Sequence, residues 1–253
     1  MRPVWGSTQS ALMEVLNSRP ADVAQVVGQL SDLQELLENL TPAASNPVAD
    51  FNRLYRIITA TIQDRLEAGA FGDPEFLNLL DVEFAQRYFD ALIRWGRRHP
   101  ETPDAWSELF CRLRDRKVRP IQGAAAGVNA HINYDLPFAL ITTWEKLGSS
   151  PADERQHGDY LLINEVFFER IPELRRSYLT NWQLIIDRLN FDLDDWYQDR
   201  LVELCRNLAW QDAERLWRIR ADEAALEEAR DSLDRHTAFI GAALLSPVCR
   251  LIQ

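Results

Sequence analysis

The sequence is 253 residues long and carries a formal net charge of −11 at pH 7, from 28 Lys and Arg against 39 Asp and Glu. Hydrophobic residues make up 46% and charged residues 26%, which is typical of a soluble globular protein and excludes a disordered or fibrous chain. The acidic balance argues against nucleic acid and anionic membrane surfaces as partners, because both are bound by clustered Lys and Arg.

Cysteine usage and the start of the chain bear on the compartment. The three cysteines, Cys111, Cys205 and Cys249, are far apart and odd in number, so a disulfide framework and a CxxC metal site are both missing from the sequence. The first residues, MRPVWGSTQSALMEVL, contain no continuous apolar stretch and no small-residue cleavage site, which argues against a signal peptide or membrane anchor. We therefore predict a cytoplasmic protein.

The hydrophobic pattern predicts an all-α fold. Apolar residues recur at spacings of three and four along almost the whole chain, while alternating β-branched runs and Asn-Gly hairpin signals are missing. Prolines and glycines separate about nine helical segments, and no long linker divides them, so we predict a single-domain multi-helix bundle. The stretch TPAASNP is a candidate hinge that sets off an N-terminal helical segment, 1–45, as an appended hairpin from the main helical domain, 46–253.

One segment, Ile121–Trp144, differs from the rest because it has a single formal charge in 24 residues. Its polar residues would be costly in lipid, so a central helix buried inside a soluble protein fits better than a membrane span. On this helix His131 and Asp135 lie one turn apart on one side of the apolar stripe, and Asn129 and Asn133 lie one turn apart on the other. All four must find partners if they are buried, and Pro137 should kink the helix beside them.

Three other segments supply candidate polar partners for that helix. In the helix Asp81–Trp95, Asp81 and Tyr88 fall in the core stripe and Arg87 lies on its border. The stretch GDYLLINEVFF places Asp159 and Asn164 at and beyond a helix start, and the stretch LCRNLAWQDAERLW carries an aromatic face. The sequence therefore predicts a buried polar cluster around the central helix, with these further candidates for substrate contact: Asp159, Asn164 and Trp210.

Five ordered blocks resemble a known family. An all-helical family of bacteria and fungi whose function is unknown is similar to this chain in LDVEFAQRYFDAL (Leu80–Leu92), AWSELF (Ala105–Phe110), NAHINYDLPFAL (Asn129–Leu140), DYLLIN (Asp159–Asn164) and RNLAWQDAERL (Arg206–Leu216). The resemblance covers roughly Asn52 to Pro247 and leaves the first fifty residues outside. It implies an all-helical domain and no particular reaction. Its most distinctive blocks carry Asp81, Arg87, Asn129, His131, Asp135, Asp159 and Asn164.

The pair His131 and Asp135 is the sharpest chemical feature, and three interpretations stay open. An imidazole and a carboxylate one turn apart suit a metal-free acid–base site, in which the carboxylate fixes the tautomer of the imidazole. The same HxxxD spacing can supply two ligands of a divalent metal, as in helical zinc hydrolases, with Asp81 and His236 completing a set of His131, Asp135, Asp81 and His236. The pair can also be purely structural, in a non-catalytic ligand-binding or scaffold protein.

We favour an enzyme that needs no cofactor and acts on a hydrophobic small molecule, as a cyclase, isomerase or lyase of secondary metabolism. The sequence lacks a nucleophile elbow, a P-loop and a dinucleotide-binding fingerprint, which argues against acyl hydrolases, NTPases and nicotinamide enzymes. His131 would be the general acid or base and Asp135 its orienting partner, while Asp81 and Arg87 would form an ion pair or an acid and an anion clamp. Substrate would be oriented by Asn129, Asn133, Tyr88 and Asn164. A homodimer is left open.

Overall fold

The computed structural model describes residues 5–6, 9–40, 46–178 and 195–246, with the backbone alone for 171–178 and 195–201. This part of the chain contains helices and no strands, which confirms the all-α prediction. The helices are α1 (Gln9–Asn17), α2 (Val23–Leu40), α3 (Pro47–Glu67), α4 (Pro74–Gly96), α5 (Asp104–Phe110), α6 (Pro120–Ala130), a π-helical turn (His131–Asp135), α7 (Leu136–Leu147), α8 (Glu154–Tyr178), α9 (Asp195–Ile219) and α10 (Glu223–Leu244).

Proline and capping residues fix where the helices begin. Asn46 accepts hydrogen bonds from two backbone N–H groups at the start of α3, and Pro47 is the first helical residue. At the start of α4, Asp73 accepts one hydrogen bond, from the backbone N–H of Phe76, and Pro74 is the first helical residue. A proline in the first turn costs nothing, because its missing N–H would have no partner inside the helix. Gly148 ends α7 in the left-handed conformation with φ of 64°, which glycine adopts without steric cost.

The predicted central helix is confirmed as α6, the π-helical turn and α7, which run without a break from Pro120 to Leu147. It packs against α3, α4, α9 and α10, and most of its residues are buried. The π-helical turn lies immediately before Pro137, where the sequence predicts a kink. In this turn the N–H of Leu136 donates to the carbonyl of His131 five residues back, so the hydrogen-bond register changes just before the proline interrupts it.

Glycines in α6 allow the backbone of α3 to come close. A Cβ atom on Gly123 would lie 2.6 Å from Cα of Pro47 and 2.8 Å from its carbonyl oxygen. A Cβ on Gly127 would overlap the ring of Phe51. The backbones of α3 and α6 are therefore in direct contact at Gly123, and at Gly127 the ring of Phe51 packs directly on the backbone of α6.

We expect Gly123→Ala to lower the free energy of unfolding by about 2–3 kcal/mol, because the added methyl group displaces the backbone of α3. Gly28→Ala in α2 is the matched control: no atom lies within 4 Å of its would-be Cβ, and alanine should stabilise that helix by roughly 1 kcal/mol. Urea denaturation of the two variants measures both effects. A Gly123→Ala protein as stable as the wild type would show that this contact is not tight.

The first two helices share the hydrophobic core with the rest of the described chain. Leu12 and Leu16 of α1 and Leu30 and Leu37 of α2 are fully buried, and α2 packs along α3. The predicted junction between 1–45 and 46–253 falls at 41–45, which lies outside the described residues, so the division stays a prediction. None of the described helices combines the length and apolar character that crossing a membrane requires.

Candidate functional site

A cavity of about 60 Å³ lies beside the π-helical turn and is lined by residues of this turn and of α3, α4, α6, α7, α8 and α9. Its walls are mostly aliphatic and aromatic side chains. Polar groups come from four residues on four different elements, namely Tyr55, Asp81, His131 and Arg206. An apolar cavity with a few convergent polar groups is the usual form of a small-molecule site.

The imidazole of His131 is held from one side by a carboxylate. Nδ1 of His131 lies 2.9 Å from Oδ2 of Asp135, and the same oxygen accepts a hydrogen bond of 2.9 Å from the indole N–H of Trp106 in α5. Both His131 and Asp135 are buried, with 2% of their surface exposed. A carboxylate accepts hydrogen bonds, so Nδ1 carries the proton and Nε2 is left with a free lone pair.

Nε2 of His131 is the important atom of the site. It is buried and has no hydrogen-bond partner, although His131 lines the cavity. The ring is fixed by aromatic neighbours: Phe84 stacks on it at 3.5 Å with an angle of 6°, and Tyr55 meets it edge-on at 4.5 Å. Burial lowers the pKa of His131 and outweighs the hydrogen bond that His131 donates to Asp135, which acts in the opposite direction. The imidazole is therefore neutral near pH 7.

Asp81 contributes a carboxyl group to the same cavity. It is 6% exposed, and its Oδ2 is buried without a hydrogen-bond partner. Burial raises the pKa of Asp81 from 3.8 to about 7, because the charged form loses its hydration and gains no cation. The hydroxyl group of Tyr55 is close enough to Asp81 for the carboxylate to raise the pKa of the phenol, after the larger effect of burial. The cavity thus holds the carboxyl group of Asp81 together with a neutral imidazole whose Nε2 carries no proton.

The predicted ion pair between Asp81 and Arg87 is not formed. The guanidinium of Arg87 lies 5.1 Å from the ring centre of Phe138. Among the described residues, no carboxylate forms an ion pair with Arg87. Six residues on a helix correspond to about 240° of rotation, so the two side chains leave α4 in different directions. Of these two residues, Asp81 lines the cavity and Arg87 does not, and the role of Asp81 as an acid stays a prediction.

Arg206 is a residue of the cavity that sequence reasoning missed. Its Nε donates to Oδ1 of Asn164 at 2.8 Å, and Nη2 donates to the carbonyl of Tyr160 at 2.8 Å. The guanidinium also lies 4.2 Å from the ring centre of Tyr160. Although the side chain is only 5% exposed, no described carboxylate pairs with it. Its position within the predicted block RNLAWQDAERL, next to an apolar face, was the only signal in the sequence.

Among the residues predicted to contact substrate, Asn164 is linked to the cavity through the hydrogen bond that it accepts from Arg206. Asn129 and Asn133 instead serve the packing of α10: Asn129 donates to the carbonyl of Thr237 and accepts from Asn133. Tyr88 is fully buried, and its ring packs 5.0 Å from that of Trp106. Its hydroxyl group is buried without a partner, but Tyr88 is not part of the cavity wall.

Asp159 and Trp210 have structural contacts as well. The carboxylate of Asp159 accepts from the backbone N–H groups of Gly72 and Asp73, which fixes the turn that leads into α4. Trp210 packs against Trp144 and donates its indole N–H to Glu214. Neither side chain lines the cavity.

The predicted set of four metal ligands is not brought together. His236 lies on the exposed side of α10 with Ser232 as its neighbour, whereas His131 is buried in the core. Among the described residues, no three His, Cys, Asp or Glu side chains converge as a metal site requires. The donor set of the zinc-hydrolase interpretation therefore does not fit this arrangement.

A family model for a family of unknown function (DUF5995) matches residues 23–247. The chain belongs to this family. The match begins at residue 23, so it includes α2 and corrects the resemblance inferred from the sequence, which began near Asn52. Every residue of the cavity lies within the matched range. The chain matches no curated protein and no solved structure.

Proposed function

We propose that this member of the family is an enzyme that moves protons on a small hydrophobic molecule, as a cyclase, isomerase or lyase of secondary metabolism. The observation that carries the proposal is the presence in one cavity of Nε2 of His131 and a carboxyl oxygen of Asp81, both buried and both without a hydrogen-bond partner. The hydroxyl group of Tyr55 in the same cavity is also buried without a partner. An unpaired buried polar atom costs about 1–3 kcal/mol, so three in one cavity are best explained by a ligand that satisfies them.

In this proposal His131 is the base and Asp81 is the acid. Nε2 takes a proton from a carbon or hydroxyl group of the substrate, and Asp135 stabilises the imidazolium that forms. The electron pair of the broken bond forms a new double bond or ring bond. In an isomerisation or cyclisation, Asp81 gives its proton to the substrate atom that gains the electron pair. In an elimination, it gives its proton to the leaving group. The step ends with a protonated His131 and an ionised Asp81, and proton exchange with water restores the pair.

The compartment belongs to the same proposal. Cys111 and Cys205 are both free thiols, which fits the reducing cytoplasm predicted from the sequence. Both lie outside the wall of the cavity.

We expect the wild-type protein to exchange an acidic C–H of a bound compound with deuterium from solvent. A panel of short ketones, hydroxy acids and unsaturated acids in D2O, followed by NMR, detects the base without knowledge of the full reaction. His131→Gln should slow the exchange by about a hundredfold or more. His99→Gln, in an exposed loop, is the control and should leave the exchange unchanged. No exchange with any compound, or equal rates in wild type and His131→Gln, would contradict the proposal.

The exchange should have a bell-shaped pH dependence. On the acidic side it falls when His131 is protonated, at a pH below the ordinary value of 6.5 because the pKa of His131 is lowered. On the alkaline side it falls near pH 7, where Asp81 loses its proton. Asp81→Asn should remove the alkaline limb.

The tautomer of His131 gives a test that needs no substrate. Nitrogen-15 NMR at neutral pH should show His131 uncharged, with its proton on Nδ1, and His131→Gln identifies the signals. A His131 that is positively charged at neutral pH would make the pair with Asp135 a structural ion pair and would overturn its role as the base.

A further inference from the structure

Arg206 is a buried cation without a counterion in the described part of the chain. Its two hydrogen bonds go to neutral groups, the amide oxygen of Asn164 and the carbonyl of Tyr160. Arg65 shows the usual arrangement in this protein, because it pairs with the carboxylates of Glu165 and Glu169. Removing a charge from water is costly unless an opposite charge lies nearby, so the environment of Arg206 is incomplete.

The donors that Arg206 leaves unused are the ones suited to a carboxylate. A guanidinium has five N–H groups, and one on Nε and one on Nη2 are occupied. One N–H of Nη2 and the two of Nη1 remain, and one N–H from each of these two nitrogens can lie parallel along the outer edge of the guanidinium plane. Nη1 makes no hydrogen bond within the described part of the chain, and Arg206 lines the cavity. Two parallel N–H groups on one edge match the two oxygens of a carboxylate.

We propose that the ligand of this cavity is a small apolar monocarboxylic acid whose carboxylate binds the free edge of Arg206. The inference rests on the proposed function, because it assigns the substrate class of the same site. One guanidinium balances one negative charge, whereas the second charge of a phosphate dianion would find no further cation among the residues that line the cavity. The apolar body of the acid lies against the aliphatic and aromatic walls and reaches toward His131 and Asp81.

The volume of the cavity limits the size of this acid. A water-sized group needs about 10–15 Å³ of such space, so about 60 Å³ accommodates roughly four to six non-hydrogen atoms. Butanoate and its branched isomer 2-methylpropanoate, with six non-hydrogen atoms each, are at the upper end of this size. Longer chains require the cavity to widen, so affinity should fall as the chain grows.

The test is calorimetric titration of the full chain with butanoate, butanamide and inorganic phosphate. Butanoate should bind at least about tenfold more tightly than butanamide, which has the same shape without the charge. Phosphate should bind more weakly than butanoate. Equal binding of the acid and the amide, absence of butanoate binding, or tighter binding of phosphate would each overturn the proposal.

Variants assign the binding to Arg206. Arg206→Met keeps the length and apolar character of the side chain and should abolish the preference for butanoate over butanamide. Arg65→Met, which removes an arginine outside the cavity, should leave it intact. If Arg206→Met does not fold, the comparison of butanoate with butanamide in the wild type still tests whether the cavity prefers a carboxylate. A variant that folds and keeps the preference would show that Arg206 is not the anchor.

The failure of this inference is separable from failure of the proposed function. His131→Gln should still bind butanoate, because Arg206 and not His131 holds the carboxylate in this proposal. If butanoate does not bind, but His131 is neutral and the protein exchanges protons of uncharged compounds, only the proposed substrate class is refuted. Butanoate binding together with a charged His131 would refute only the acid–base function.

Discussion

Asp81→Asn should raise the free energy of unfolding by about 4 kcal/mol at pH values above about 7 and leave it nearly unchanged near pH 4. Asp81 is protonated up to about pH 7 in the folded protein, compared with its ordinary pKa of 3.8 in the unfolded chain. Between those values the folded state binds one more proton, so the stability of the wild type falls as the pH rises. Asparagine has no proton to lose and removes this dependence.

Urea denaturation across the pH range measures this effect, and thermal melting near pH 8 should show a shift of roughly 10 °C. Asp90→Asn is the control, because Asp90 is exposed on the same helix and should change the stability little at either pH. A constant difference between Asp81→Asn and wild type at all pH values would show that the carboxyl group is ionised in the folded state.

Asp135→Ala should lower the free energy of unfolding by about 4 kcal/mol at neutral pH. The change leaves the N–H groups of His131 and Trp106 buried without an acceptor, at about 1–3 kcal/mol each, and it also removes packed atoms. Asp90→Ala serves again as the exposed control. Guanidinium denaturation should show the loss as a lower midpoint. A stability equal to wild type would mean that water or another side chain satisfies both donors.

The opposite signs of these two effects separate the roles of the two carboxyl groups. Asp135 stabilises the fold because it satisfies two buried donors. Asp81 destabilises the fold at alkaline pH because nothing satisfies it. A residue whose removal stabilises a protein is typical of a site that is kept for function rather than for structure.

Much of the fold was predictable because helix periodicity and proline positions are local signals. The low charge of 121–144 was enough to identify the buried central helix, and the spacing of His131 and Asp135 was enough to predict their contact. The role of Trp106 was not predictable, because its indole reaches Asp135 from a separate short helix, α5.

The rest of the site depends on which element lies opposite each side chain. Asn129 and Asn133 have the same spacing as His131 and Asp135, yet Asn129 bonds to the backbone of α10 and Asn133 bonds to Asn129. Arg206 becomes a cavity residue because α8 offers Asn164 and Tyr160 as neutral partners and no carboxylate. Spacing along one helix specifies which side chains share a face, but the packing of other helices decides which face becomes a cavity.

The glycines of α6 have a consequence for the chemistry as well as for the packing. Phe51 occupies the space beside Gly127 that a side chain would fill, and its ring meets the imidazole of His131 edge-on at 5.7 Å. The close approach of α3 to α6 therefore places one phenyl ring between Gly127 and the imidazole. A larger residue at position 127 would have to displace that ring, so it would change the aromatic surroundings of the proposed base although it lies outside the cavity wall.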